Sequence, residues 1–278
     1  MKADLHNHSY YSDGVLSPRE VVTLAFDSGC DLFSLTDHDT TDGLNEAIKA
    51  ADDLSVNLIT GVEISAFWRN MTIHIVGLDV DIGSDVLQAG LRHNQLLRAE
   101  RAEKIALGLR RAGIVHAMEK TQALSKTLML TRTHFAQMLI QEGYCKDMKS
   151  VFRRFLTGKK PGGVRVEWKK FDEVIGWIHS AGGRAVLAHP FRYSMTNTKI
   201  KKMLLDFKEA GGDGVEVVTA TSTSDEINWS AQWASEFSLL SSCGSDFHGW
   251  PNQRIQIGRL ADLPESSNEI WKHLKCQH

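Results

Sequence analysis

Short apolar, β-branched runs recur along the chain, and most are followed by apolar residues at helical spacing. The runs at residues 3–8, 32–37, 56–64, 72–80, 184–189, 214–219 and 239–246 read as strands. Between them, residues 18–28, 43–54, 171–181, 199–210 and 225–237 read as helices. Ser17-Pro18 and Thr41-Asp42 supply N-cap chemistry, and Gly29 and Gly182-Gly183 supply C-terminal stops. Such alternation predicts an α/β fold with a mainly parallel sheet, open or closed into a barrel.

The alternation stops between about residues 84 and 170. Leu87, Leu91, Leu96, Leu97, Ile105 and Leu109 trace a long helix ending at Gly113. Residues 132–141 and 146–156 continue the helical pattern, followed by a Gly-rich, basic stretch at 158–164. No strand of the main pattern falls here, so the segment reads as a helical insertion.

Charge sharpens that division. The formal net charge is −2, yet residues 91–170 hold 18 Lys and Arg against 6 Asp and Glu, a surplus of +12. The remainder holds 14 basic and 28 acidic residues, net −14. This asymmetry suits a basic part that holds an anion and an acidic part that holds cations. A solvated basic helix pair would give the same count, and charge alone does not separate the two readings.

With 278 residues the chain can bury a sizeable core. It has no apolar run long enough to cross a bilayer and no basic, then apolar, secretory leader. Cys30, Cys145, Cys243 and Cys276 are scattered without Cys-x-x-Cys spacing, as expected for reduced thiols in a cytoplasmic protein. No helix-turn-helix, zinc-finger or RNP pattern points to a sequence-specific reader of nucleic acid.

The candidate chemistry sits at the strands, mostly at their ends. His6 and His8 share one face of an extended segment, about 7 Å apart along the chain, with Asp13 just beyond. Later segments supply His38 with Asp37 and Asp39, then Glu63, His74, His189, Glu216, and Asp246 with His248. Each has a bland reading. An isolated His-x-His suits an edge strand, and His74 on an apolar strand suits a hydrogen-bonded core histidine. Asp37 and Asp39 suit turn caps, Asp4 a group orienting a histidine ring, and Glu216 a barrel-lining or supporting carboxylate. The joint pattern is harder to dismiss, because the carboxyl ends of parallel strands converge on one face. Mixed His, Asp and Glu ligation without cysteine suits Zn²⁺, Mn²⁺ or Fe²⁺.

His6-Asn7-His8, Thr36-Asp37-His38, Gly61-Val62-Glu63, Ala188-His189-Pro190 and Gly244-Ser245-Asp246-Phe247-His248 resemble the signature segments of the PHP (polymerase and histidinol phosphatase) superfamily. The resemblance covers residues 1–83 and 171–278, in family order. It implies a distorted (β/α)7 barrel with residues 84–170 as a basic helical cap. It also implies up to three divalent ions at the carboxyl end. His6, His8, Glu63 and Asp246 would hold the first, and Asp13, His38 and His248 the second. His74 and His189 would hold the third, with Glu63 bridging it to the first. Asp13 stands where some relatives use histidine, which favours Mn²⁺ over Zn²⁺, Fe²⁺ or Mg²⁺.

Within the insertion, Arg98-Ala99-Glu100-Arg101 and Thr131-Arg132-Thr133-His134-Phe135 resemble the subgroup of nucleoside 3′,5′-bisphosphate phosphatases and 5′→3′ exoribonucleases. That resemblance implies a phosphoesterase acting on the 5′-phosphate ester of a nucleoside bisphosphate, or on an RNA 5′ end, through a hydroxide bridging two ions. Arg132 and His134 would brace the scissile phosphate, with protonated His134 as acid, and Arg98 and Arg101 would grip the second phosphate. Surface pairing with Glu100 or Glu103 is the bland reading of these two arginines. A histidinol-phosphate phosphatase needs a pocket for a cationic amine, for which a basic cap is a poor host. A polymerase-associated proofreading exonuclease normally sits in a longer chain. A non-catalytic, metal-stabilised binding module is the remaining alternative, against which a complete set of ligand positions argues.

Overall fold

The computed structural model describes residues 1–250 and 254–275; Cys276 lies outside them. Seven strands form one sheet in sequence order. They are β1 (Ala3–Asp4), β2 (Leu32–Leu35), β3 (Leu58–Trp68), β4 (Met71–Leu78), β5 (Arg184–Leu187), β6 (Gly214–Thr219) and β7 (Leu240–Gly244). Leu5 N–H donates to the Cys243 carbonyl at 3.0 Å, and Asn7 bridges Phe247 in parallel. The last strand therefore lies beside the first, and the sheet curls into a nearly closed barrel.

β4 departs from the parallel pattern, pairing antiparallel with both β3 and β5. The cause is a two-residue turn at Arg69 and Asn70, whose φ values of 41° and 69° are both left-handed. Turns of that kind match strand twist and make a hairpin, though they usually announce themselves with glycine. The hairpin also carries β3 on to Trp68, past the expected end at residue 64, because Ser65, Ala66, Phe67 and Trp68 find partners on β4. The ladder of β1 stops at Asp4, short of the expected residue 8, because the next residues pair with the extension of β7.

The helices are α1 (Pro18–Asp27), α2 (Leu44–Leu54), α3 (Asp85–Arg111), α4 (Ala117–Gln122), α5 (Arg132–Gln141), α6 (Met148–Val151), α7 (Phe171–Ser180), α8 (Asn197–Glu209) and α9 (Ser224–Glu236). Ser17 and Glu20 close a reciprocal capping box on α1. α2 starts after Gly43 instead of at Thr41, whose carbonyl accepts from Leu44 N in a preceding turn. α6 runs into a π-helical turn, Phe152–Leu156.

Val62, Ile64, Ile73, Ile75, Val186, Leu187, Val215 and Val217 are buried in the main core, against which α7, α8 and α9 pack. Leu87 and Leu91 of α3 join this core, whereas Ala102, Ile105 and Leu109 of the same helix join a separate one with Phe135, Leu139, Val151 and Leu156. Between the two apolar stretches, α3 buries polar side chains. Asn94 Nδ2 donates to Asp39 Oδ1 at 2.7 Å, and Arg98 Nε donates to Asp39 Oδ2 at 2.6 Å. Arg98 Nη2 adds a bond to Ser65 Oγ at 2.9 Å. Asp39 is fully buried, so the barrel grips the long helix through an ion pair shielded from water. Asp39→Ala leaves Arg98 charged and buried without a partner, which should cost about 3–5 kcal/mol. Urea unfolding measures this, and a loss below about 1 kcal/mol would show the pair to be dispensable.

Candidate active site

All nine ligand-type residues named from the sequence come together at one rim of the barrel. His6 and His8 follow β1, with ring centroids 5.1 Å apart. Asp13 sits on the next loop, with Oδ1 3.2 Å from His248 Nε2 and 3.7 Å from His38 Nε2. Glu63 is the hub. Its Oε2 lies 2.7 Å from His38 Nδ1 and 3.3 Å from Nε2 of both His6 and His8. Its Oε1 lies 2.8 Å from His74 Nδ1 and 3.0 Å from His189 Nε2. Asp246 Oδ1 is 2.9 Å from His8 Nε2. His74 belongs near the amino end of β4, yet it reaches the same rim because that strand runs the other way.

Donor atoms gather in three groups within 4.8 Å: His8, Asp13, His38 and His248; His6, His8, Glu63 and Asp246; and His38, Glu63 and His74. His189 touches Glu63 but falls outside these groups, so the third pairing read from the sequence, His74 with His189, is met only through Glu63. Short as these approaches are, buried Asp13 Oδ1, Glu63 Oε2, His38 Nδ1 and His189 Nδ1 form no hydrogen bond of proper direction among the described residues. Lone pairs crowded in this way fit divalent cations, since no arrangement of protons satisfies so many facing acceptors.

A PHP domain model matches residues 4–221 of the chain. The chain belongs to the PHP domain family. A 3′,5′-nucleoside bisphosphate phosphatase of Chromobacterium violaceum is 41% identical over 275 residues, covering 99% of this chain and 96% of the relative. A 5′-3′ exoribonuclease of Haemophilus influenzae is 42% identical, covering 98% of both. A solved structure of an amidohydrolase from C. violaceum, with bound sulfate and no metal, superposes with a TM-score of 0.94 at 41% identity, covering 99% of this chain and 96% of that one.

The supporting groups of this PHP rim differ from those expected. Asp4 touches no histidine ring. Its oxygens accept from Asn7 Nδ2 at 3.0 Å and from the amides of Ser245 and Gly258, both at 2.8 Å. Glu216 orients the ring instead, taking His6 Nδ1 at 2.6 Å on one oxygen and His189 N–H at 2.6 Å on the other. Gly244 makes room for this, since a Cβ there would lie 2.2 Å from that of His6. Asp37 accepts from Ser9 N at 2.8 Å and from the hydroxyls of Ser9 and Ser12, each at 2.6 Å, fixing the loop that carries Asp13.

Burial opposes charge on Asp13, Glu63 and Asp246, yet all three stay well below the usual carboxylate range. His248 and His38 hold Asp13 down, His38 and His74 hold Glu63 down, and Arg192 and His248 hold Asp246 down. Burial drives His8 down to about 3, with His248 adding repulsion, and drives His74 down to about 4. Ionised carboxylates beside neutral imidazoles are ready to ligate. His6 and His248 are the counter-cases: burial opposes the cation on both, but Glu216 and Glu63 raise His6 well above its ordinary value, and Asp13 and Asp246 raise His248 to about 9.

The cap residues divide. Arg98, expected to grip a phosphate, is held by Asp39 and Ser65, so the structure gives it an anchoring place. The bland alternative also fails for it, because it is buried rather than at the surface. Arg101 is 6% exposed, stacks over Trp168 at 5.5 Å, and has no ion-pair partner among the described residues. Burial lowers its pKa, and Arg98 and Arg132 lower it further. Arg132 also lacks a carboxylate partner among the described residues. Both line the cavity that holds Asp13, Glu63, His74 and His248. His134 is buried, and its Nδ1 accepts from Thr131 N at 3.1 Å at the start of α5. Burial lowers its pKa, Arg98 and His248 also disfavour the cation, and Asp13 only partly opposes them. The structure gives His134 a capping place at the start of α5, next to Arg132 in sequence.

Sequence reasoning missed Arg192, which pairs with Asp246 Oδ2 and lines the same cavity. It stands three residues after His189, and a basic residue that close to a ligand motif was the available signal.

Elemental analysis of the purified protein should find two or three divalent ions per chain. Glu63→Ala should remove more than one of them, and loss of a single ion would refute its place as hub. Asp13 and Asp246 favour a proton on His248 in the metal-free protein, as Glu216 and Glu63 do on His6, so raising the pH toward about 9 removes the His248 proton as a competitor. Metal affinity should rise over that window, and a flat profile would exclude His248 as ligand.

Proposed function

We propose that this chain is a metal-dependent phosphoesterase that hydrolyses nucleoside 3′,5′-bisphosphates and removes nucleotides from the 5′ ends of RNA. The observation that carries the reading is a cavity with a cluster of His, Asp and Glu on one wall and the unpaired Arg101 and Arg132 on the other. A buried guanidinium without a counter-ion is costly, and it suits an anion that arrives with the substrate. The two PHP relatives above are named for these two activities.

His6, His8, Glu63 and Asp246 would hold one cation, Asp13, His38 and His248 a second, and His74 and His189 with Glu63 a third. Divalent cations there supply Lewis-acid activation of water and neutralise charge on phosphoryl oxygens. Such imidazole and carboxylate donors suit Zn²⁺, Mn²⁺ or Fe²⁺, and Asp13 in place of a histidine favours Mn²⁺ among them. Glu216 and Asp37 keep the ligands in register, while Arg101 and Arg132 orient the substrate. In this reading residues 84–170 cap the barrel of residues 1–83 and 171–278. The separate core under α3, α5 and α6 supports that division. Among the described residues no helix is long and apolar enough to cross a membrane. Cys30, Cys145 and Cys243 are free and buried, and free thiols fit a cytoplasmic enzyme.

The two activities share one geometry only if the phosphorus at the metals is the one on the 3′ oxygen. A 5′→3′ exonuclease cuts on the 3′ side of the first nucleotide and leaves its 5′-phosphate intact. The same attack on a 3′,5′-bisphosphate gives a 5′-nucleotide and phosphate. This seating places the 5′-phosphate on the cap arginines, the reverse of the 5′-ester attack implied by the sequence resemblance.

The test is hydrolysis of adenosine 3′,5′-bisphosphate and of 5′-phosphorylated oligoribonucleotides, with Mn²⁺ and with chelator. We expect 5′-AMP as product and no turnover with chelator; 3′-AMP would reverse the seating, and inertness toward both substrates would end the reading. Arg101→Ala should lower kcat/KM on the bisphosphate by roughly 10- to 100-fold, the equivalent of one charge-assisted contact. On 3′-AMP, which lacks the gripped phosphate, the same change should do much less. An equal fall on both would move Arg101 to the scissile phosphate.

A further inference from the structure

The cavity beside the His, Asp and Glu cluster is small, about 220 Å³, below the roughly 300–1,000 Å³ typical of small-molecule sites. A nucleoside bisphosphate must extend into a neighbouring space. Three spaces adjoin. One behind His189 and Arg192 holds only about 50 Å³. A second, of about 570 Å³, meets the first cavity only at Arg98, which Asp39 already holds, and is lined by Leu96, Leu128 and Met129, with Arg92 set against the acidic Asp42. The third, of about 360 Å³, shares three walls with it: Thr72, Arg101 and Arg132.

That third cavity lies between the β3–β4 turn and the stretch around residues 156–168. Three arginines line it, Arg101, Arg132 and Arg165, and no Asp or Glu does. Arg165 is held in place, since its Nη2 donates to the Asn70 carbonyl at 3.0 Å and its guanidinium lies 5.4 Å from the centre of the Phe67 ring. The backbone beside it is fixed as well, with Phe67 N–H donating to the Lys169 carbonyl at 2.9 Å. A guanidinium oriented before the ligand arrives loses little freedom on binding.

We propose that this cavity seats the terminal nucleoside and its unreacted phosphate, and that Arg165 is a specificity-determining residue, the third cation around that phosphate. The ligand class is a terminal phosphomonoester, whose dianion answers three guanidiniums better than a hydroxyl or a singly charged diester. The assignment rests on the phosphoesterase reading above and adds the location and the residue.

The test uses the full chain and the variants Arg165→Gln and Arg165→Lys. Arg165→Gln removes the charge but keeps a donor for Asn70. The ratio of kcat/KM for adenosine 3′,5′-bisphosphate to that for 3′-AMP should fall on the order of 5-fold, the upper range for an exposed ionic contact. Arg165→Lys should keep most of the ratio. Calorimetry of 5′-AMP binding in chelator should show the same loss for Arg165→Gln without any turnover. An unchanged ratio in Arg165→Gln would overturn the proposal, as would a fall produced instead by Arg92→Ala in the larger cavity. Absence of bisphosphate hydrolysis by the unmodified enzyme would instead bring down the underlying reading.

Discussion

One buried carboxylate sets the terms for the rest. Glu63 lies within 3.3 Å of five imidazoles, those of His6, His8, His38, His74 and His189. Its backbone is as constrained as its side chain. Glu63 N–H donates to the carbonyls of Thr36 and Asp37 at 3.1 and 3.2 Å, and its carbonyl accepts from Asp39 at 2.8 Å. The strand that positions the hub therefore also positions the two residues that follow Asp37. His38 turns toward the hub, and Asp39 turns toward α3. His38 and Asp39 are consecutive, and the left-handed backbone at Asp39 sends their side chains to different partners, so α3 is registered against the rim with little slack.

The sequence makes the barrel and its ligands legible for a physical reason. Strand runs and helix caps are local, and histidines and carboxylates at strand ends are conspicuous because that burial is costly without a purpose. What stayed hidden depends on partners distant in sequence. The direction of β4 hangs on two left-handed residues, Arg69 and Asn70, that carry no glycine. Asp4 and Glu216 are both carboxylates on barrel strands, and only the closed sheet shows that Glu216 reaches His6 while Asp4 ties together Asn7, Ser245 and Gly258. Arg98 and Arg101 share a helix face, yet one meets a carboxylate 59 positions away in sequence and the other meets none.

The charge division read along the chain is real but mostly solvated. Lys104 pairs with Glu100, Lys120 with Glu142 and Lys169 with Glu173, all at exposed positions where such contacts contribute little. The surplus of +12 does not measure the anion site. What counts is the small number of cations that are buried or fixed at the cavities and unmatched, because low local dielectric magnifies them while water screens the others.

That contrast explains why the arginines without carboxylate partners come from α3 and α5 and not from the barrel strands. A guanidinium mounted on the barrel rim stands beside the metal-ligand carboxylates and pairs with them, as Arg192 does with Asp246. Arg98, one helical turn along α3 from Asn94, is captured in the same way by Asp39. Arg101 lies three residues further on and stacks over Trp168, as Arg98 does, but has no ion-pair partner among the described residues. Distance from the rim keeps it unpaired, and a long helix anchored at Asn94 and Arg98 keeps that distance fixed. Arginines without carboxylate partners and acids crowded against one another therefore line a single cavity without neutralising each other.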